Sequence, residues 1–109
     1  MVDTNLGYPA NADNIQVSVV RINRINFAYQ LPGIPVSRGK SLLIRARFTN
    51  AGLILVGPTQ ASAIDANQSA LLQANEWVAY RVKNANVMYV SGNAAGDLVE
   101  ISAEWSQGD

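Results

Sequence analysis

The sequence predicts an all-β fold, an antiparallel sandwich or barrel, and three observations carry that prediction. Apolar residues recur with period two, not 3.6, over three long segments. Shorter β-rich runs fill the intervals, and turn residues punctuate the chain at about eight- to twelve-residue spacing. The composition supplies a core: of 109 residues, 49% are hydrophobic and only 15% charged. That is enough apolar surface to offset the entropy of ordering one domain.

Residues 1–14 lack alternation and read as an extended N-terminal arm, leaving 15–109 as the sandwich domain. The first β-rich runs are 15–20, 25–30 and 34–37. In 41–49, Leu42, Ile44, Ala46 and Phe48 alternate with Leu43, Arg45, Arg47 and Thr49, giving one apolar and one partly cationic face. Residues 53–57 form another run; 60–75, rich in Ala and Gln, could hold a short helix but are read as β with loops. In 77–83, Val78, Tyr80 and Val82 alternate with Trp77, Ala79, Arg81 and Lys83. A run over 87–91 follows, then Gly92-Asn93-Ala94-Ala95-Gly96, read as a hairpin loop. In the last segment, Val99, Ile101, Ala103 and Trp105 alternate with Leu98, Glu100, Ser102 and Glu104.

Several function classes are excluded early. The chain has no His and no Cys, which removes the usual zinc sites, thiol nucleophiles, disulfides and the Ser-His-Asp relay. Eight basic and eight acidic side chains cancel, which argues against a nucleic-acid partner. No apolar run approaches the roughly 20 residues of a membrane-spanning helix, and the start of the chain lacks the basic and apolar regions of a secretory signal. Synthesis and assembly in the cytoplasm are therefore expected. No cofactor is expected, and the chain is not expected to be an enzyme.

Three candidate chemistries remain. Asp65, Asn67, Ser69 and Glu76 fall at calcium-loop positions, but Ala70 stands where the sharp turn needs glycine, so a chance match is favoured. Glu100 and Glu104 share a strand face about 13 Å apart, beyond the roughly 5–9.5 Å of paired glycosidase carboxylates. Arg45, Arg47, Arg81 and Lys83 form a cationic stripe beside Trp77 if their strands are neighbours, which resembles a polysaccharide or nucleic-acid single-strand surface in miniature. A plain solvated sheet face is the favoured reading there.

Charge is laid down unevenly. All eight basic residues lie between Arg21 and Lys83, whereas Asp97, Glu100, Glu104 and Asp109 leave the C-terminal segment purely acidic. Two readings stay open: pairing between subunits, or neutralisation between neighbouring strands of one subunit.

From Lys40 onward the order of signals forms a pattern. Ser41-Leu42-Leu43-Ile44-Arg45-Ala46 precedes Thr49-Asn50-Ala51-Gly52-Leu53-Ile54-Leu55-Val56-Gly57, and a polar stretch ends in Asn75-Glu76-Trp77. Val82-Lys83-Asn84-Ala85-Asn86-Val87-Met88-Tyr89-Val90 and Ala95-Gly96-Asp97-Leu98-Val99-Glu100-Ile101 follow. This order, over about two-thirds of the chain, resembles small tailed-bacteriophage virion structural proteins of the capsid decoration or cement type. The resemblance implies a jelly-roll-like antiparallel β-sandwich that binds the outer head surface and stabilises the shell. The major capsid protein is then the expected partner, in addition to a homo-oligomer, expected as a trimer. Leu6, Tyr8 and Pro9 of the arm, then Arg21 and Arg24, are the expected capsid or subunit contacts. The competing reading is a carbohydrate- or receptor-binding module using Trp77, Tyr80 and the cationic stripe, or a tail or baseplate component.

Overall fold

A computed structural model describes residues 14–105, with side chains described from Ile15 to Ala103. Among the described residues eight strands follow in order: β1 (Asn14–Arg21), β2 (Tyr29–Gln30), β3 (Leu42–Ala46), β4 (Ile54–Gly57), β5 (Ala70–Leu72), β6 (Trp77–Tyr80), β7 (Tyr89–Gly92) and β8 (Leu98–Trp105). One short helix, α1 (Gln60–Ala63), separates β4 from β5, and a 3-10 turn spans Ala85–Val87.

The strands form two four-stranded antiparallel sheets, ordered β1-β8-β3-β6 and β2-β7-β4-β5. Every strand pairs with the one that mirrors it in sequence: first with eighth, second with seventh, third with sixth, fourth with fifth. A long hairpin wrapped on itself produces that order, which is the jelly-roll form of the β-sandwich.

Alternation decides which side chains enter the core. Leu42, Ile44 and Ala46 of β3 and Val99, Ile101 and Ala103 of β8 are buried, and their register places Ile44 between Ile101 and Val78. Ile54, Val56, Leu72 and Val90 meet them from the second sheet, while Ile22, Leu31, Ile34 and Met88 close the ends. Each fully buried Ile contributes roughly 1.5–3 kcal/mol of transfer free energy.

Several sequence expectations change. The strand in the 41–49 segment ends at Ala46; Arg47 N still donates to Leu98 O at 3.1 Å, and the chain then turns at Arg47–Asn50, with Asn50 N donating to Arg47 O at 3.0 Å. Phe48 is left on that turn, 69% exposed and out of the core. The 25–30 run keeps only Tyr29–Gln30 as strand, since Asn26 adopts a left-handed φ of 55° and bends the chain. The 34–37 run contributes one isolated bridge, Pro35 with Asn84. Residues 92–96 are not a hairpin loop, because β7 and β8 lie in different sheets and the chain crosses between them. Within 60–75, both a helical turn and a strand form; Thr59 caps α1, its Oγ1 accepting from Ser62 N at 3.0 Å.

Asn14 already pairs with Trp105, so β1 takes the last residue assigned to the arm. The rest of the arm, residues 1–13, lies outside the described residues, as do its expected contacts Leu6, Tyr8 and Pro9.

Candidate assembly face

The outer face of the β1-β8-β3-β6 sheet brings together Trp77, Arg45, Arg47 and Glu100 of the residues singled out from the sequence. Cross-strand register arranges it in rows: Val19, Glu100, Arg45 and Trp77 form one, and Val17, Ser102, Leu43 and Ala79 the next. Aliphatic side chains stand on one flank. Ile15 is 60% exposed, Val17 66% and Val19 45%, and Trp77 on the opposite flank is 61% exposed. Single exposed hydrophobic residues are ordinary, but three from one strand with a tryptophan on the same sheet face are not scattered. Val17, Val19 and Leu43 wall a shallow groove that also contacts Arg45, Arg47 and Glu100.

The centre of this face is a three-member ion cluster. Glu100 Oε1 accepts from Arg45 Nε at 2.7 Å, and Oε2 accepts from Arg47 Nε at 2.8 Å. The Arg47 hydrogen bond is the main force holding the Glu100 carboxyl below its ordinary value; burial opposes it, and Arg45 adds to the lowering. The two guanidiniums are therefore occupied within the subunit. Of the two readings of the charge split, neutralisation between neighbouring strands holds for Glu100.

This geometry breaks the expected stripe. Trp77 does face Arg45 across β3 and β6, but Arg81 and Lys83 lie past the end of β6. Arg81 is four residues, about 13 Å of strand, beyond the position opposite Arg45. It sits instead with Lys83 beside the turn carrying Arg38 and Lys40. Tyr80 does not join Trp77 either, since it packs against the core from the inner face of β6. Burial there raises its phenol pKa.

Arg21 and Arg24 flank the other end of the sheet. Arg21 ends β1 and is exposed. Arg24 lies over the Phe27 ring, 4.7 Å from its centroid, and Phe27 meets Tyr29 edge-on at 5.0 Å. The Tyr29 hydroxyl accepts from Arg24 N at 2.9 Å, which stiffens this exposed loop.

The calcium-loop residues have local tasks. Asp65 Oδ1 accepts from Asn67 N at 2.9 Å and Glu76 Oε1 accepts from Gln73 N at 2.7 Å, each closing its own turn. Among the described residues no three His, Cys, Asp or Glu side chains converge as a metal site would require.

Sequence reasoning missed Asp97 and Asn50, which join two of the quoted motifs. Buried Asp97 accepts from Ala51 N through Oδ1 and from Gly52 N through Oδ2, both at 2.9 Å. Asn50 Nδ2 donates to Leu98 O and its Oδ1 accepts from Leu98 N, both at 2.8 Å, so one side chain substitutes for a paired strand residue. The signal available was the recurrence of Asn and Asp beside glycine, which marks side chains that bond to backbone.

No family model and no curated protein matches the chain. Among solved structures it is similar, at 13% identity and a TM-score of 0.41, to a chain from Bacillus endospore appendages, described as a novel family of disulfide-linked pili. The similarity covers 94% of this chain and 100% of that one.

Proposed function

We propose that the chain is a non-enzymatic structural subunit of a bacteriophage virion. It docks on the outer surface of the head through the β1-β8-β3-β6 sheet and cements the shell. The observation that carries the reading is the aliphatic flank of Val17 and Val19 with Leu43 and Trp77 on one sheet face. Burying such a face against the major capsid protein adds binding free energy that disassembly must overcome. The jelly-roll strand order and the sequence resemblance to decoration proteins support the same reading. A repeating lattice lets modest contacts sum, and a trimer presents three such faces at once.

Residues 1–13, with Leu6, Tyr8 and Pro9, act in this reading as a tether to the shell or to a sibling subunit, and Arg21 and Arg24 contact the partner beside it. A glycan-binding module is less well supported, because Trp77 and Tyr80 lie on opposite faces of β6 and the four cations do not line up beside Trp77.

Electron microscopy of intact virions that encode the chain tests the proposal. Density for a small β-sandwich on the outside of the head supports it. Density only on the tail, or no density in the particle, overturns it.

A further inference from the structure

Four of the eight basic side chains converge where the sequence separates them by some forty residues. Arg38 and Lys40 come from the turn before β3, and Arg81 and Lys83 from the segment after β6; all four line one cavity of about 270 Å³. Backbone pairing builds the site. Val36 N donates to Lys83 O at 2.9 Å, Ala85 N donates to Ile34 O at 2.9 Å, and Pro35 bridges Asn84 between them. The turn is closed by Lys40 N donating to Ser37 O at 3.0 Å, with Gly39 at a left-handed φ of 78°. Among the described residues no carboxylate lines the cavity, and none of the four cations forms an ion pair with one. Arg45 and Arg47, by contrast, are neutralised by Glu100.

Four like charges held around one opening repel one another, and that cost falls when an anion enters. Two guanidiniums supply planar forks of donors and two ammoniums supply point charges, a set suited to tetrahedral oxyanions. We propose that this cavity binds a multiply charged oxyanion of the phosphate or sulfate class. The site is independent of the assembly face and does not rest on the virion reading.

Backbone amide NMR on the full chain, titrated with inorganic pyrophosphate, tests it against sodium chloride of equal ionic strength. Saturable shifts centred on residues 36–40 and 81–83 are expected with pyrophosphate. Arg81→Gln with Lys83→Gln should weaken binding at least about tenfold, as should Arg38→Gln with Lys40→Gln, since each pair removes two charge-assisted donors. Arg21→Gln with Arg24→Gln should leave it unchanged. A parallel titration with a heparin hexasaccharide separates sources. Tighter binding of the hexasaccharide at the same residues assigns the group to a sulfated polymer, and tighter binding of pyrophosphate assigns it to a free anion. The proposal is overturned if chloride gives the same shifts, if pyrophosphate gives none, or if either folded double variant binds as tightly as the native chain.

Discussion

Arg45 and Glu100 stand opposite one another on β3 and β8, and the guanidinium meets a single carboxylate oxygen twice, with Nε 2.7 Å and Nη2 2.6 Å from Oε1. Oε2 is thereby left for Arg47, whose Nε lies 2.8 Å away. One acid thus holds two arginines of the same segment, at positions where alternation puts both on the outer face.

Because the fold lowers the Glu100 pKa, its stabilising effect is complete above the ordinary carboxyl value of 4.5 and is lost as pH falls through the lower folded value. The cluster is partly solvated, so its worth is about 1 kcal/mol. Glu100→Gln should lower the melting midpoint at pH 7 by about 4 °C and lose less stability than the native chain between about pH 5 and pH 3. Thermal melts across that window decide it; parallel curves would show that the cluster contributes nothing.

Asp97 carries more. Its buried carboxylate satisfies the amides of Ala51 and Gly52, and truncation of the side chain to a methyl group would leave both without that acceptor. Asp97→Ala should therefore cost about 2–4 kcal/mol, and Asp97→Asn less, since one carbonyl oxygen remains to accept. Urea denaturation midpoints measure this. A loss under about 1 kcal/mol for the alanine variant would mean that water replaces the carboxylate.

The period-two pattern made the inward faces of β3 and β8 legible, since Leu42, Ile44, Ala46, Val99, Ile101 and Ala103 are the residues buried there. It failed at Phe48, because a hydrophobic side chain in phase with its strand says nothing about where the strand stops. The stop is set by Asn50, which bonds to Leu98 forty-eight positions away. The cationic stripe was half legible for a similar reason. Alternation put Arg45, Arg47, Arg81 and Lys83 on outward positions, but only register shows that Trp77 sits beside Arg45 while Arg81 lies past the strand end. Register depends on long-range pairing that local pattern does not encode.

Gly52 is a steric requirement of the same corner. A Cβ there would overlap Asn93 Oδ1 and come within 2.9 Å of Ala94 Cβ. Asn93 Oδ1 is already committed, accepting from Leu53 N at 2.7 Å, so it cannot swing away without releasing that amide. Gly52→Ala should destabilise by about 1–3 kcal/mol, read from urea midpoints. Adding Asn93→Ala should relieve little, because the loss of the Leu53 acceptor replaces the clash. Full recovery in the double variant would show that the corner is looser than this geometry requires.

The assembly face yields a prediction in which stability and association part company. Val17 is 66% exposed and Trp77 61%, and neither is buried in the core, so Val17→Lys and Trp77→Ser should change unfolding free energy by no more than about 0.5 kcal/mol each. In the proposed docked state both side chains leave water. A lysine introduced in place of Val17 would then carry a charge into a protein contact without a matched partner, which is costly. Sedimentation velocity of the purified chain and its occupancy on virions measure the outcome. Native-like melts with lost occupancy are expected. Native occupancy in the double variant would move the contact to another surface, and a collapsed melting midpoint would show that these side chains support the fold.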